Sequence, residues 1–539
     1  MENVLFCSQI SIVTMSRRRA CLYLILGLCM VLLVLKLLQW ASTVFQIHNA
    51  SSDATFGRWE QSITLPLVPA AIALLPRSAK VLVWASDDGK VFDADPEKPG
   101  RTVTSIFDLN TRTVTERSVS TTNHDMFCPG LSIDSTGRPI ITGGSSAERT
   151  SIYNEVADIW ISGPNMTLGR GYHAQTTLSD GRIFTIGGSW AGLMGEKNGE
   201  VYDPISETWS RLPGCLVSPM LTNDERGVFC SDNHAWLFGW KNGSVFQAGP
   251  SRAMNWYATG GNGGHSSAGF RANDGDSMNG NAVMYDAVNG KILTLGGSSS
   301  YTASYSTRAA HIITIAEEMA LANVEVLRPM HYPRVFANSV ILPTGEVFIN
   351  GGQSYARQWT DVNATLIPEL WSPETRRFNL LARMPVPRTY HSVAILLPDA
   401  TVLTGGGGLC WASCVDESAN HLDIQVFTPP YLFDSSNALA IRPQIVAVSD
   451  TAVAAGASLT ISMDGKIKAF SLLRYGSATH SINTDQRRIS LDAVHVKKTR
   501  AMYEIKIPED TGVALPGYWM LFAISNEGVP SVAKTILIG

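Results

Sequence analysis

Five short runs in this chain close on adjacent glycines: "RPIITGG" (138–144), "GRIFTIGG" (181–188), "GKILTLGG" (290–297), "GEVFINGG" (345–352) and "ATVLTGGGG" (400–408). Each is rich in β-branched or aromatic residues, the composition of a strand. The glycines end it because they turn the chain through positive φ without steric cost. A strand that recurs with one terminal signal is a repeat, and repeats bury their apolar faces only by stacking on one another. Helical periodicity is nearly absent outside the N-terminal segment, so the rest of the chain is predicted to be all-β.

The spacings Gly143 to Gly187 and Gly296 to Gly351 to Gly405 fall in the kelch range of about 45 to 55 residues. The wider gap between Gly187 and Gly296 needs one more unit, which "HAWLFGWKNGSVF" (234–246) supplies, and "AKVLVWAS" (79–86) supplies another. A seven-bladed kelch β-propeller over residues 57–428 results. A second register runs between the glycine pairs: "MTLGRGYH" (166–173), "MHYPRVFA" (330–337) and "MPVPRTYH" (384–391) all read M-x-x-x-R-x-aromatic-x. Equivalent positions of a propeller lie at equivalent radii, so Tyr172, Phe336 and Tyr390 are expected at matching places around one axis. From residue 429 the glycine pairs stop, and runs such as "SLTISM", "YEIKIP" and "YWMLFAIS" alternate apolar and polar residues. Residues 429–539 therefore read as an immunoglobulin-like, early-set β-sandwich.

At the N-terminus, Arg17–Arg19 precede an apolar stretch from Ala20 to Phe45, close to the roughly 20 residues that cross a bilayer as a helix. Positive charge on that side predicts a cytoplasmic stub and an exported remainder. Residues 1–45 are read as a stub with a hydrophobic helix that is either a signal peptide or a retained type II anchor. The poor cleavage site "WAS" (40–42) favours the anchor. Sequons at Asn49, Asn165, Asn242 and Asn363 agree with an extracellular, secreted or anchored protein. The net charge of −4 comes from mixed signs, which leaves no basic stripe for nucleic acid. Contact with membrane is expected only through the N-terminal segment, and the chain is expected to be a monomer. Five of the eight cysteines follow that segment. Cys410 and Cys414 are near enough to close a small ring, Cys215 and Cys230 are a second candidate pair, and Cys128 is left over.

The sequence resembles the copper radical oxidases, in their galactose-oxidase branch. The resemblance rests on "HDMFCPG" (124–130), "SDGRIFTIGGSWAG" (179–192), "EKNGEVY" (196–202), "SDNHAWLFGWK" (231–241), "SVFQAGPS" (244–251), "AMNWY" (253–257), "RTYHSVAILLPD" (388–399), "GSATHSINTDQRR" (476–488) and "DTGVALPGYWMLF" (510–522). It begins near residue 56, so the branch's N-terminal carbohydrate-binding sandwich is not expected. By resemblance, Cys128 is joined through a thioether to Tyr172, forming a protein-derived radical cofactor. One copper ion is held by Tyr172, Tyr390, His391 and His480, and Trp190 stacks over the thioether. Two imidazoles and two phenol oxygens also suit Cu(II) on general grounds. Oxidising an alcohol removes two electrons and copper takes one, so a second acceptor is required.

The family's chemistry implies a primary alcohol and O2 as partners, with Tyr390 as general base and aldehyde and H2O2 as products. Arg271 matches a sugar-contacting arginine, and Phe92 and Tyr301 match pocket aromatics. Thr302 stands where the branch has glutamine, and Trp359 where it has phenylalanine. A lost hydrogen-bonding side chain and a larger ring point to alcohols less polar than galactose. Three alternatives compete: a glyoxal-oxidase-type aldehyde oxidase, a non-catalytic kelch glycan- or protein-binding module, and a glycosidase using Asp125, Asp232 or Glu225. His124, His173, His234, His265, His311 and His331 are read as structural or exposed.

Overall fold

The computed structural model describes residues 29–36, 52–92, 100–411, 417–496 and 501–539, and residues 52–539 form one compact unit. Residues 29–36 are helical. Among the described residues no helix is long and apolar enough to cross a membrane. Arg17–Arg19 and both ends of the apolar stretch lie outside the described residues.

Repeats that alternate a β run with a glycine turn make small antiparallel sheets in chain order. The first contains Ala71–Leu75, Lys80–Trp84, Thr102–Asp108 and Val114–Val119, and the second Gly130–Ile133, Pro139–Thr142, Thr150–Asn154 and Ile159–Ser162. Four more follow over 174–212, 236–270, 281–326 and 335–380. The last is not local, because Ser392–Leu396, Val402–Gly406 and Asp423–Thr428 are completed by Arg58–Trp59, with Arg58 opposite Thr428. Innermost strands pack side by side around an axis. They are wholly buried, as in Ala174–Thr177, whereas outermost strands such as Thr208–Leu212 are largely exposed. The result is a propeller whose two chain ends meet in one sheet, leaving the ring no free edge there.

The M-x-x-x-R register has a physical cause. Arg170, Arg334 and Arg388 are buried, each paired with a carboxylate on the third strand of its own sheet: Glu200 at 2.9 Å, Glu369 at 3.0 Å and Asp423 at 2.8 Å. Each also donates to a glycine-pair carbonyl at the end of its second strand, Gly187 at 2.8 Å, Gly351 at 2.7 Å and Gly406 at 3.2 Å. The backbone carbonyl of each arginine then accepts an N–H from the glycine pair of the preceding sheet, from Gly144, Gly297 and Gly352 at 2.7–2.8 Å. A Cβ on Gly351 would lie 2.1 Å from the Arg388 carbonyl, so that approach requires glycine. Tyr172 and Phe336 share a left-handed backbone, φ 63° and 61°, as the register predicts. In the third copy the positive φ falls one residue later, on His391.

Beyond the propeller, one sheet contains Ile445–Val448, Ser458–Met463, Met502–Lys506 and Val494–His495, and the other Ala452–Val453, Lys534–Ile538, Gly517–Ile524, Ala469–Arg474 and Arg488–Asp492. Their alternating strands enclose Leu459, Ile461, Phe470, Leu472, Trp519 and Leu521 as a sandwich core. From this sandwich Ser477–Thr479 reaches across and adds to the first propeller sheet, with Ala71 opposite Thr479 and Ala73 opposite Ser477. A buried Arg474–Asp485 pair at 2.7 Å braces the excursion.

The cysteine pairing needs correction. Cys215 and Cys230 are both free and buried. Cys215 packs with Ala174, Phe184 and Val201, its thiol directed at the Ala258 carbonyl 3.3 Å away, whereas Cys230 sits on the short helix Val228–Ser231 in a different apolar cluster. Closeness in sequence did not bring the two sulfurs together. Cys410 is disulfide-bonded, and Cys414 lies outside the described residues. Alkylation of unfolded, unreduced protein is expected to label Cys215 and Cys230 and to leave Cys410 unlabelled until reductant is added, as read by peptide mass mapping. Replacing Arg334 by Met strands the buried Glu369 carboxylate. It is expected to cost about 3–5 kcal/mol in denaturant unfolding, with Arg334→Met/Glu369→Met recovering part of that loss.

Candidate active site

Loops entering the inner strands carry the side chains that meet on the axis. Cys128, Tyr172 and His234 each stand two residues before an inner strand, each with positive φ (59°, 63° and 54°), which turns the side chain off the strand. The Tyr172 N–H donates to the Cys128 carbonyl at 3.0 Å and the His234 N–H to the Tyr172 carbonyl at 2.9 Å, which couples the three loops. His480 follows the added strand Ser477–Thr479 directly.

These elements bring together every residue of the expected ligand set. The Tyr172 and Tyr390 hydroxyls lie 2.5 Å apart. The Cys128 sulfur and ring nitrogens of His391 and His480 lie within 4.8 Å of one another. Trp190 stacks on the Tyr172 ring at 4.6 Å and 24°. All but Trp190 are buried.

The hydrogen bonds settle which histidine nitrogen is free. His391 Nδ1 is 2.6 Å from the Gly408 carbonyl, which only accepts, so Nδ1 carries the proton and Nε2 keeps its lone pair. That Nε2 is buried without a partner. His480 Nδ1 is 2.7 Å from the Thr479 hydroxyl, whose own proton is donated to the Ala70 carbonyl at 3.0 Å, so Nδ1–H is again the donor. His480 Nε2 faces the Cys128 thiol at 3.4 Å. Burial lowers the His391 pKa to about 3 and holds His480 well below its usual value, with His391 and His234 adding to the latter. Burial raises Cys128, Tyr172 and Tyr390 well above theirs. Two neutral imidazoles presenting Nε2 beside two phenol oxygens fit Cu(II), and the buried, unpartnered His391 Nε2 is an atom that a bound cation would satisfy.

The remaining expected residues are placed differently. Tyr301 is buried behind the site, its hydroxyl 2.9 Å from that of Tyr390 and 2.9 Å from His234 Nε2. Arg271 is 1% exposed, and its two terminal nitrogens donate to carbonyls, including Ser251 and Gly275, and to the Ser277 hydroxyl. Phe92 and Trp359 form an aromatic wall with Trp411, Trp359 standing edge-on to Tyr390 at 5.7 Å and to Trp411 at 4.6 Å. Thr302 is half-buried beside Tyr301.

Sequence reasoning passed over His234, which stacks on His480 at 5.2 Å and 15°, and Trp411. His234 occupies the register of Cys128 and Tyr172, but that register shows only in the left-handed backbone of the folded chain. Trp411 comes from a two-residue strand beside Val91–Phe92, and no repeat signals it.

A propeller joined to a sandwich, with two imidazoles, two phenols and a thiol gathered where they meet, defines a copper radical oxidase. The chain belongs to the galactose oxidase family. Galactose oxidase of Gibberella zeae is 51% identical over 501 residues, covering 92% of this chain and 72% of that protein. An aldehyde oxidase of Arabidopsis thaliana is 27% identical over 492 residues, 83% of this chain and 77% of that one. A solved structure described as a novel fungal alcohol oxidase with catalytic diversity among the AA5 family, in complex with copper, superposes with a TM-score of 0.85 at 45% identity. It covers 90% of this chain and all of its own. Family profiles match in three segments: a kelch motif at 170–216, the glyoxal oxidase N-terminus at 283–431, and the galactose oxidase-like early set domain at 442–538.

Buried neutral histidines make stability depend on pH. Burial lowers His124 to about 4 and His234 to about 3. Below the ordinary value near 6.5 the unfolded chain takes up protons that the folded chain refuses, so stability falls as pH falls through that window. Each histidine contributes a slope of about 1.4 kcal/mol per pH unit down to its own folded pKa. Urea midpoints of metal-free protein at several values between pH 7.5 and 5 are expected to decline accordingly.

Proposed function

We propose that this chain is an exported copper radical oxidase that converts a primary alcohol to its aldehyde while reducing O2 to H2O2. The observation that carries the reading is the convergence of Tyr172, Tyr390, His391, His480 and Cys128 in one buried site, with each imidazole protonated at Nδ1 and turning its Nε2 lone pair inward, that of His391 without a partner and that of His480 toward the Cys128 thiol. Copper, when bound, accepts one electron and polarises the alcohol oxygen. His391 and His480 hold it through Nε2, each oriented by the hydrogen bond on its other nitrogen. Tyr390 accepts the hydroxyl proton. Tyr172, carrying the Cys128 sulfur as a thioether, takes hydrogen from the carbinol carbon, because the sulfur donates density into the ring and eases its oxidation. Trp190 keeps water off that ring. The alcohol loses two electrons and two protons, and O2 gains both.

The wall of Phe92, Trp359 and Trp411, and an Arg271 whose terminal nitrogens are taken up by loop carbonyls and the Ser277 hydroxyl, support a substrate less polar than galactose. Similarity to a plant aldehyde oxidase and to the glyoxal oxidase profile supports a second reading, oxidation of aldehydes at the same site. We read the seven sheets over 57–428 as seven blades and 429–539 as the C-terminal domain. The described sequon asparagines Asn165, Asn242 and Asn363 are all exposed, which supports passage through a secretory route.

Copper-loaded protein is expected to release H2O2 with aryl and aliphatic primary alcohols faster than with galactose or glyoxal in a peroxidase-coupled assay. Replacing Cys128 by Ser is expected to lower turnover about a hundredfold or more while copper still binds. Unmodified Cys128 and Tyr172 by intact mass in active, metal-loaded material would overturn the reading.

A further inference from the structure

The loop that lays Trp190 on Tyr172 is fixed at its near end by Asp232, which accepts from the Ser189 N–H at 2.9 Å and the Ser189 hydroxyl at 2.6 Å. Beyond Trp190 it runs outward through Leu193 and Met194, 87% and 69% exposed, and returns to Lys197. Lys197 is 2% exposed. Its ammonium donates to the Gly169 carbonyl, three residues before Tyr172, and at 3.2 Å to the Ala191 carbonyl, next to Trp190. The two chains cross closely there, since a Cβ on Gly192 would lie 2.5 Å from the Gly169 carbonyl oxygen and one on Gly171 2.5 Å from the Trp190 ring. A cavity of about 550 Å³, lined by Glu148, Leu193, Met194, Lys197 and Arg211 among others, lies against the same loop and gives it room to lift.

An ammonium bonded to carbonyls in the interior is costly, and an apolar side chain of similar length would fill the space without that cost. From this crossing we infer that Lys197 is a positioning residue that holds Trp190 face-on over Tyr172 by tying the Ala191 end of its loop to the Gly169 end of the tyrosine loop. The inference rests on the proposed redox role of Tyr172 for its consequence, but not for its geometry. Burial and the Arg170 guanidinium lower the lysine pKa to about 8, which leaves it charged at neutral pH.

The test uses the full chain with Lys197→Met, and Lys197→Gln as a variant that keeps one donor. In metal-free protein labelled with 5-fluorotryptophan, with the Trp190 signal assigned through Trp190→Phe, Lys197→Met is expected to shift or broaden that fluorine resonance alone, and Lys197→Gln to do so less. In copper-loaded protein the oxidised-tyrosine signal is expected to decay about tenfold faster in Lys197→Met. The same substitution made on Trp190→Phe is expected to add less than about a twofold change, because both act through one ring. An unmoved Trp190 resonance, or equal effects of Lys197→Met in both backgrounds, overturns the inference. Absence of any oxidised-tyrosine signal in the unsubstituted enzyme defeats the redox reading of Tyr172 instead, and the fluorine measurement still decides the clamp. Should Lys197→Met not fold, Lys197→Leu, which likewise removes every donor, carries both measurements with the same criteria.

Discussion

One arginine in each of three repeats ties together parts of the chain that lie well apart in sequence. Arg388 pairs with Asp423 on its own third strand and donates to Gly406 on its second. Through its carbonyl it also receives the Gly352 N–H of the sheet before it. Arg170 and Arg334 do the same. A buried guanidinium missing any of these partners would be expensive, so the set fixes sheet-to-sheet register as well as strand pairing. Tyr172 and Tyr390 lie two residues beyond Arg170 and Arg388. The 2.5 Å approach of their hydroxyls therefore inherits its tolerance from structural ion pairs.

The propeller supplies only part of the site. His480 arrives from the sandwich, on a segment that extends the first propeller sheet by one strand and is held from several sides. Thr484 donates to the Gln175 carbonyl, Gln486 to that of Ser339, and Arg487 to that of Gly239. Each of these bonds is buried, where its loss leaves a polar group unpaired. The second imidazole is therefore as rigidly placed as the first, and the sandwich core that carries it runs on into buried propeller residues such as Trp240, Phe246 and Ile313.

Much of this was legible in the sequence. The glycine pairs and β runs gave away the all-β repeat, and the aromatic register put Tyr172, Phe336 and Tyr390 around one axis, where the Phe336 ring stands 4.9 Å from Tyr390. The ligand set was legible through long matching runs, not through spacing, because Cys128 and His480 are 352 residues apart and meet only through topology. Three things stayed hidden for physical reasons. The burial of Arg271 depends on loop carbonyls that only the folded chain gathers. His234 looked ordinary until its left-handed backbone aligned it with Cys128 and Tyr172. Cys215 and Cys230 are near in sequence yet packed into different apolar clusters.

The ring is completed by Arg58–Trp59 pairing with Asp423–Thr428, and the donor set by a histidine farther along still. During synthesis, a ribosome that has made most of the polypeptide has produced neither a sealed ring nor a full coordination sphere. Ring closure and the complete donor set thus both wait on residues beyond 420.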